Sequence, residues 1–372
     1  MVEIREVTTQ RQKKAFVRYP FKLYKRNDNW VPDMIGDELD NLDPEKNPAF
    51  RFCTMRLFLA YRDDKIVGRI AGLINRAYNE KWGVKRMRFC RTDFIDDDEV
   101  VDALFDTVEN WAREEGLEEI HGPIGFSDFD KEGMLIEGFD LPTTIVTLYN
   151  APYYKGQLER RGYVKEADWV EYQIKVPKEM PEKVVKFCDR SLERYGLKVL
   201  NFDSMKDVMP YVQDVFDVTN EAYADLYGTV PFTPEMVDSY VDQFLKFINP
   251  KYVKLIVDKE GEVIAYGLGV PSMTRAFQRG KGRLFPLGLL FMLWAVKRPK
   301  VLDLYLVAIR KKYQGKGINA VLLTEFNKQA LEDGIAYAEA NPELETNAQV
   351  QAMWKYFETK QVRRRRCFVK EL

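Results

Sequence analysis

One feature constrains the fold of this chain above all others: the same order of apolar segments and turns occurs twice. In the first half, residues 57–61 and 66–74 read as strands around the turn Asp63-Asp64-Lys65. A helix over 99–115 follows, with Val101, Leu104, Phe105, Val108, Trp111 and Ala112 on one face. Gly116 closes it, as glycine commonly does just past a helix end. A strand at 117–121, a helix at 153–161 introduced by Asn150, and a last strand at 169–176 complete the half. The second half repeats this order. Strands at 253–257 and 263–269 flank the turn at 258–261, and an apolar strand covers 301–309. The helix at 318–332 puts Ile318, Leu322, Phe326 and Ala330 on one stripe and is closed by Gly334. A strand at 335–339, a helix at 350–357 introduced by Asn347, and a strand at 362–369 follow. Corresponding turns lie about 195 positions apart, although identity between the halves is low. The pattern predicts two α/β units of one architecture, 1–178 and 179–372, joined near 177–181 without a low-complexity linker. A sizeable interface between them is expected. A helix carrying Val184, Phe187, Cys188, Ser191, Leu192 and Tyr195 opens the second unit.

Composition removes several classes of function. Lys and Arg number 57 and Asp and Glu 58, so the net charge of -1 is not that of a nucleic-acid binder. His121 is the one histidine, which excludes two-histidine zinc sites. The four cysteines form no CxxC pair, and no metal site is expected. Residues 1–11 hold no apolar run of signal-peptide length, so a cytoplasmic protein with reduced thiols is expected. His121 and Ser127 lie near turns, but no glycine follows Ser127 as a hydrolase elbow requires, so a structural histidine is expected. The stretch 284–296 is almost wholly apolar between clusters of Lys and Arg. As a helix it spans roughly 20 Å, short of the roughly 30 Å of a bilayer core. Its simplest reading is a buried helix. The alternatives are a wall for an acyl chain and a surface that touches lipid headgroups.

The chemistry is concentrated in 307–323, where an apolar strand meets a turn with Gly315 and Gly317 and a helix begins at once. Glycine permits the sharp turn and leaves room for a ligand. The first helical turn offers unpaired N–H groups and partial positive charge, which suits a pyrophosphate. Lys311, Lys312 and Lys316 add positive charge. The corresponding stretch of the first half, Thr92-Asp-Phe-Ile-Asp-Asp-Asp-Glu99, has no glycine and places four carboxylates at the helix start. These repel a pyrophosphate, so the first unit is expected not to bind one.

The segment Gln314-Gly-Lys-Gly-Ile-Asn319 resembles the Q/R-x-x-G-x-G/A signature of the GNAT superfamily of acyl-CoA-dependent N-acyltransferases. Asn347, followed by Trp354-Lys-Tyr-Phe357, is similar to that family's second block. The resemblance is specific over 301–357 and extends as topology over both halves. It implies two tandem domains, each a mixed, mostly antiparallel sheet flanked by helices, the first degenerate. It implies acetyl-CoA or another acyl-CoA as co-substrate and a small-molecule or peptide amine as acceptor. Asn319 stands where the family has Gly or Ala, and adds a short polar side chain. Trp354 stands where the family often has a tyrosine acting as general acid, which leaves Tyr356 as the nearest phenol.

The resemblance also implies that Gln314, Gly315, Lys316, Gly317, Ile318, Asn319 and Asn347 bind the cofactor. The strand backbone at Val307, Ala308 and Ile309 then pairs with the pantetheine arm and offers an oxyanion donor. Acceptor contacts fall on the first helices of the catalytic unit, here Glu221, Tyr223 and Tyr227, with Tyr240 beyond. Attack requires a neutral amine, and Glu339, after the cofactor helix, is the candidate base. Two other readings stay open, a protein that binds CoA without turning it over and a lipid- or peptidoglycan-linked acyl or aminoacyl transferase.

Overall fold

The computed structural model describes residues 1–244 and 248–372, apart from the side chains of Gln243, Phe244 and Tyr356. Fourteen strands form one sheet among these residues. The first half contributes β1 (Glu3–Glu6), β2 (Cys53–Arg62), β3 (Lys65–Asn75), β4 (Arg86–Phe94), β5 (Glu119–Gly122), β6 (Met134–Glu137) and β7 (Val164–Lys175). The second contributes β8 (Lys198–Leu200), β9 (Val253–Val257), β10 (Val263–Pro271), β11 (Val301–Ile309), β12 (Tyr337–Ala340), β13 (Glu343–Leu344) and β14 (Thr359–Glu371). The strands run in the order β1-β2-β3-β4-β5-β14-β7-β12-β11-β10-β9-β8, with β6 on β14 and β13 on β7.

The repeat read from the sequence is visible in the pairing. β4 and β5 are parallel, as are β11 and β12, and all other neighbours are antiparallel. Beyond β5 comes β14, from the opposite half of the chain, and beyond β12 comes β7, again from the opposite half. Each half therefore completes its sheet with the other's last strand. The β7–β14 pair at the centre is registered from Thr359↔Ile174 to Val369↔Val164.

The same devices shape both halves. Asp63 and Asp64 both have positive φ, 49° and 58°, the backbone that a two-residue hairpin between β2 and β3 demands. The helix at Asp98–Glu114 lies on β3, where a Cβ at Gly72 would sit 2.9 Å from the Trp111 ring. The helix at Ile318–Glu332 lies on β10, where a Cβ at Gly267 would sit 2.5 Å from the Phe326 ring. Glycine in these strands admits an aromatic ring of the covering helix.

Two expectations need correction. The helix expected at 350–357 is one α-turn, Ala348–Gln351, continued by a 3-10 turn over Ala352–Tyr356. So short a segment gains little from helix propagation and follows its tertiary contacts instead. The 284–296 stretch is not a buried helix. Its helix, Gly288–Lys297, buries Gly288 and Met292 against the helix Thr274–Gly280 but leaves Leu290, Leu293 and Trp294 exposed.

The run Arg363–Arg366 alternates faces along β14. Arg363 and Arg365 are buried and share Glu171, with Arg363 also reaching Glu339 and the Pro142 carbonyl. Arg364 and Arg366 share Asp168 on the opposite face. All four thus pair with carboxylates inside the central sheet.

Candidate active site

β11 and β12 pair in parallel only from Val301↔Tyr337 to Leu304↔Ala340. Beyond that point no strand among the described residues faces β11 on that side. The Arg310 N–H reaches Ile264 O on β10 at 2.9 Å. Strand alternation then turns Ala308 and Leu306 toward β10 as well, and Val307 and Ile309 toward the open edge. Their carbonyls are occupied there. The Tyr223 hydroxyl donates to Val307 O at 3.0 Å, and Gln314 Nε2 donates to Ile309 O at 3.0 Å. Their N–H groups face the gap.

The strand ends at the Gln314–Asn319 turn. Gly315 and Gly317 have φ of 72° and 83°, and Gly317 is the N-cap of the 318–332 helix. A Cβ at Gly317 would meet the Phe187 ring at 2.4 Å, while one at Gly315 would meet nothing within 4 Å. Phe187 and Ser191, on the helix Glu182–Tyr195, therefore back the turn on one side and leave the other open. Ala320 and Val321 donate to Gly317 O. The N–H groups of Gly315, Lys316, Gly317, Ile318 and Asn319 find no protein acceptor among the described residues. Asn319 caps Ala320 N through Oδ1 at 3.0 Å, so its extra side chain lies on the helix end.

Charge is arranged around this run of amides. Lys311 is tied to Asp225 at 2.6 Å, and its N–H donates to Glu221 at 2.7 Å. Glu221 also grips Arg310 at 2.8 Å, so this residue holds the turn in place. Lys312 and Lys316 pair with no carboxylate among the described residues. Lys316 rests over the Tyr195 and Tyr313 rings instead. Five free donors, open space at Gly315 and two available cations fit a pyrophosphate. In the first half the matching helix start is filled from within. Asp97 accepts from Val100 N at 3.2 Å and pairs with Arg62, which also holds Glu99.

Behind the open edge lies an apolar cavity of about 350 Å³. Val307, Tyr223, Tyr227, Tyr240 and Asn347 all line it. Leu268, Val270, Phe216, Val212 and Val241 supply hydrocarbon wall. Four carboxyl groups line it as well, of which Asp130 accepts from Phe126 N at 2.6 Å. Glu343 accepts from Trp354 Nε1 at 2.9 and 3.1 Å, and burial raises its pKa to about 8. Asp128 is pushed up to about 6 by burial, and Glu132 well above the usual carboxylate range by burial and the nearby Asp128. Asp128 Oδ1, Glu132 Oε2, Tyr305 Oη and Asn341 Oδ1 are buried without a hydrogen-bond partner. Buried polar atoms seldom stay unpaired, so these invite a polar ligand or water into the apolar space.

The other expected positions fall elsewhere. Glu339 does not line the cavity. It pairs with Arg363 at 3.2 Å inside the central sheet, and burial raises its pKa. The Tyr356 side chain lies outside the described residues. His121 is buried and stacked on Tyr78, with Nδ1 2.8 Å from the Tyr227 hydroxyl, which donates to Glu166. Burial lowers its pKa to about 4, so the ring is neutral. Sequence reasoning did not find Glu343, Asp128 or Glu132. Nothing in the local sequence separates Glu343 from Glu345, yet Glu345 pairs with Lys165 and Arg364 nearer the surface.

This sheet, splayed beside an amide-lined turn, and its duplication define a class. The fold is that of tandem GNAT proteins, and the second half carries a GNAT acetyltransferase domain. Residues 213–358 match the acetyltransferase (GNAT) family. Over 380 residues the chain is 28% identical to protein YghO of Escherichia coli (strain K12), covering 99% of this chain and 95% of that one. Over 311 residues it is 28% identical to the bacterial ceramide synthase of Caulobacter vibrioides (strain NA1000 / CB15N), covering 83% and 80%. Among solved structures, a tandem GNAT protein from the clavulanic acid biosynthesis pathway shares the fold, with a TM-score of 0.56 at 10% identity over 100% of this chain and 98% of that one. No helix among the described residues is long and apolar enough to cross a membrane.

Proposed function

We propose that this protein transfers an acyl group from acyl-CoA to the amine of a long-chain, lipid-like acceptor. One observation carries the reading: a run of free amides with open space beside it leads along an unpaired strand edge into an apolar cavity that holds buried carboxyls. Gly315 to Asn319 hold the pyrophosphate, with Lys312 and Lys316 beside it. The N–H groups of Val307 and Ile309 meet the pantetheine arm and the thioester oxygen. The first half binds no CoA, because Asp97 already caps its helix, and it contributes Asp128 and Glu132 to the acceptor pocket.

Glu343 is our candidate base. With a pKa raised to about 8, it accepts a proton from an ammonium far better than an ordinary carboxylate does. The apolar walls also disfavour the charged amine and ease its deprotonation. The neutral nitrogen attacks the thioester carbon. The C–N bond forms, the oxyanion is held by strand N–H groups, and the C–S bond breaks to release a thiolate that takes up the proton the attacking nitrogen sheds as it becomes the amide. Thiols have pKa values near 8.5, so departure needs little acid assistance, consistent with Trp354 where a phenol would stand. Asp128 and Glu132 hold the polar end of the acceptor. One relative bears the name ceramide synthase, and ceramides are amides of long-chain amines. This agrees with a wall of Val, Leu and Phe.

The test has two parts. Gly317→Val should weaken CoA binding at least tenfold by calorimetry, because the side chain needs the space of Phe187 and the strained φ. Release of free thiol should be followed with short polar and long-chain amines. Turnover confined to short polar amines would overturn the acceptor assignment, and tight CoA binding without turnover on any amine would leave a binding protein.

A further inference from the structure

The exposed apolar surface of the second half sits apart from the cavity's polar groups and has its own chemistry. The helix Gly288–Lys297 presents Leu290, Leu293, Trp294 and Lys297 along one side, at the i, i+3, i+4, i+7 spacing of a single helical face. Phe285 and Leu287, just before it, extend the patch, with Phe285 69% and Leu290 59% exposed. From Ser272 to Leu302 the chain carries seven Lys and Arg residues and no Asp or Glu, within a protein of net charge -1. All seven are exposed, and none pairs with a carboxylate among the described residues. Elsewhere the surface cations are commonly paired, as Lys85 is with Glu118 and Lys175 with Glu358.

We infer that the 274–300 hairpin docks the protein on an anionic lipid surface. The chemistry of the patch selects this partner. Leu, Phe and Trp side chains enter the acyl boundary when a helix lies flat, while a ring of Lys and Arg meets headgroup phosphates. The helix of ten residues is too short to cross a bilayer and long enough to lie in its interface. A neutral or acidic protein partner would leave the apolar centre or the cationic rim unmatched. The hairpin also abuts the cavity. Its buried residues Phe277 and Met292, with Met273 just before it, pack in one cluster with Val270, Leu268 and Tyr305, which also line the cavity. A lipid-borne acceptor thus has a short apolar route from the bilayer. The docking itself stands on the surface alone and does not require the transfer reaction.

Sedimentation of the full chain with vesicles, without acyl-CoA, tests the inference. Binding should be strong to vesicles containing phosphatidylglycerol, weak to phosphatidylcholine alone, and reduced in high salt. Replacing Lys297, Arg298 and Lys300 by Gln should lower affinity by about fivefold per residue. Leu290→Asp with Leu293→Asp should abolish binding while circular dichroism and CoA affinity stay unchanged. Three results would overturn it: no binding to anionic vesicles at low salt by the folded protein, binding indifferent to both sets of substitutions, or a dimer in solution that the Leu290→Asp, Leu293→Asp variant converts to monomer. The last would assign the face to a second copy.

Discussion

The helices at Asp98–Glu114 and Ile318–Glu332 occupy equivalent places in the two halves, and they begin in opposite ways. The first starts with Asp97 and Glu99, both held by Arg62, so its dipole is satisfied by the chain's own carboxylates. The second starts with Gly317 and no capping side chain, so its donors remain free. One architecture thus yields a helix start closed by its own carboxylates and another with an open run of free amides. The difference lies in the few residues at each helix start, because the unpaired N–H groups there can be met either by the chain's own carboxylates or by a ligand.

The largest effect should come from Glu343→Gln, which retains the shape of the cavity and removes the proton acceptor. We expect turnover to fall about 10²- to 10⁴-fold, with CoA affinity unchanged, and we expect kcat/KM to rise through pH about 8 in the wild type but not in the variant. The stability of the same variant should move the other way. A folded pKa above the unfolded one means that the fold favours the protonated carboxyl. The wild type therefore loses stability as pH climbs from about 4.5 toward about 8, and the variant does not. Thermal melts at pH 5 and pH 8.5 check this. Equal pH dependence in both proteins would remove Glu343 from the site.

Next in size is Glu171→Ala, which leaves Arg363 and Arg365 buried without their shared carboxylate. Removing one partner of a buried ion pair costs about 3–5 kcal/mol. Because β7 and β14 come from different halves, denaturant unfolding should show both halves weakened together. Loss confined to one half would break the exchanged-strand account.

Transplanting the first half's charge onto the second should have a smaller effect. Lys312→Glu with Lys316→Glu is expected to weaken CoA binding by roughly ten- to a hundredfold at low salt, with less loss at high salt as screening increases. The smallest effect belongs to Asp97→Ala. It removes an N-cap, for about 1 kcal/mol of stability, and should leave CoA affinity as it was. Gain of a second CoA equivalent in that variant would show that the first half is closed by this cap alone.

Much of the secondary structure was legible in the chain. The strand at Val301–Ile309, the helix at Ile318–Glu332 and the turn between them follow from apolar periodicity and two glycines, because local sterics and helix-end chemistry act within a few residues. The glycine turn likewise marked the run of free amides proposed to hold the pyrophosphate. The pairing of β14 with β5 and β7 was not legible, since strand edges are interchangeable until register and packing choose among them. Nor could the sequence show that Leu290 and Trp294 are exposed while Met292 is buried. An apolar run reads alike on either side of a protein surface, and only the neighbours brought to it by the fold decide. The same holds for carboxylates. Glu339, Glu343 and Glu345 lie within seven residues, and one is locked to Arg363, one accepts from Trp354 at the cavity, and one is paired with Lys165 and Arg364. The sequence by itself determined the helices, strands and amide-lined turn, which depend on nearby residues. The tertiary structure decided which carboxyl enters the cavity and which face stays bare, because burial and charge pairing are properties of groups that meet only after the chain has folded.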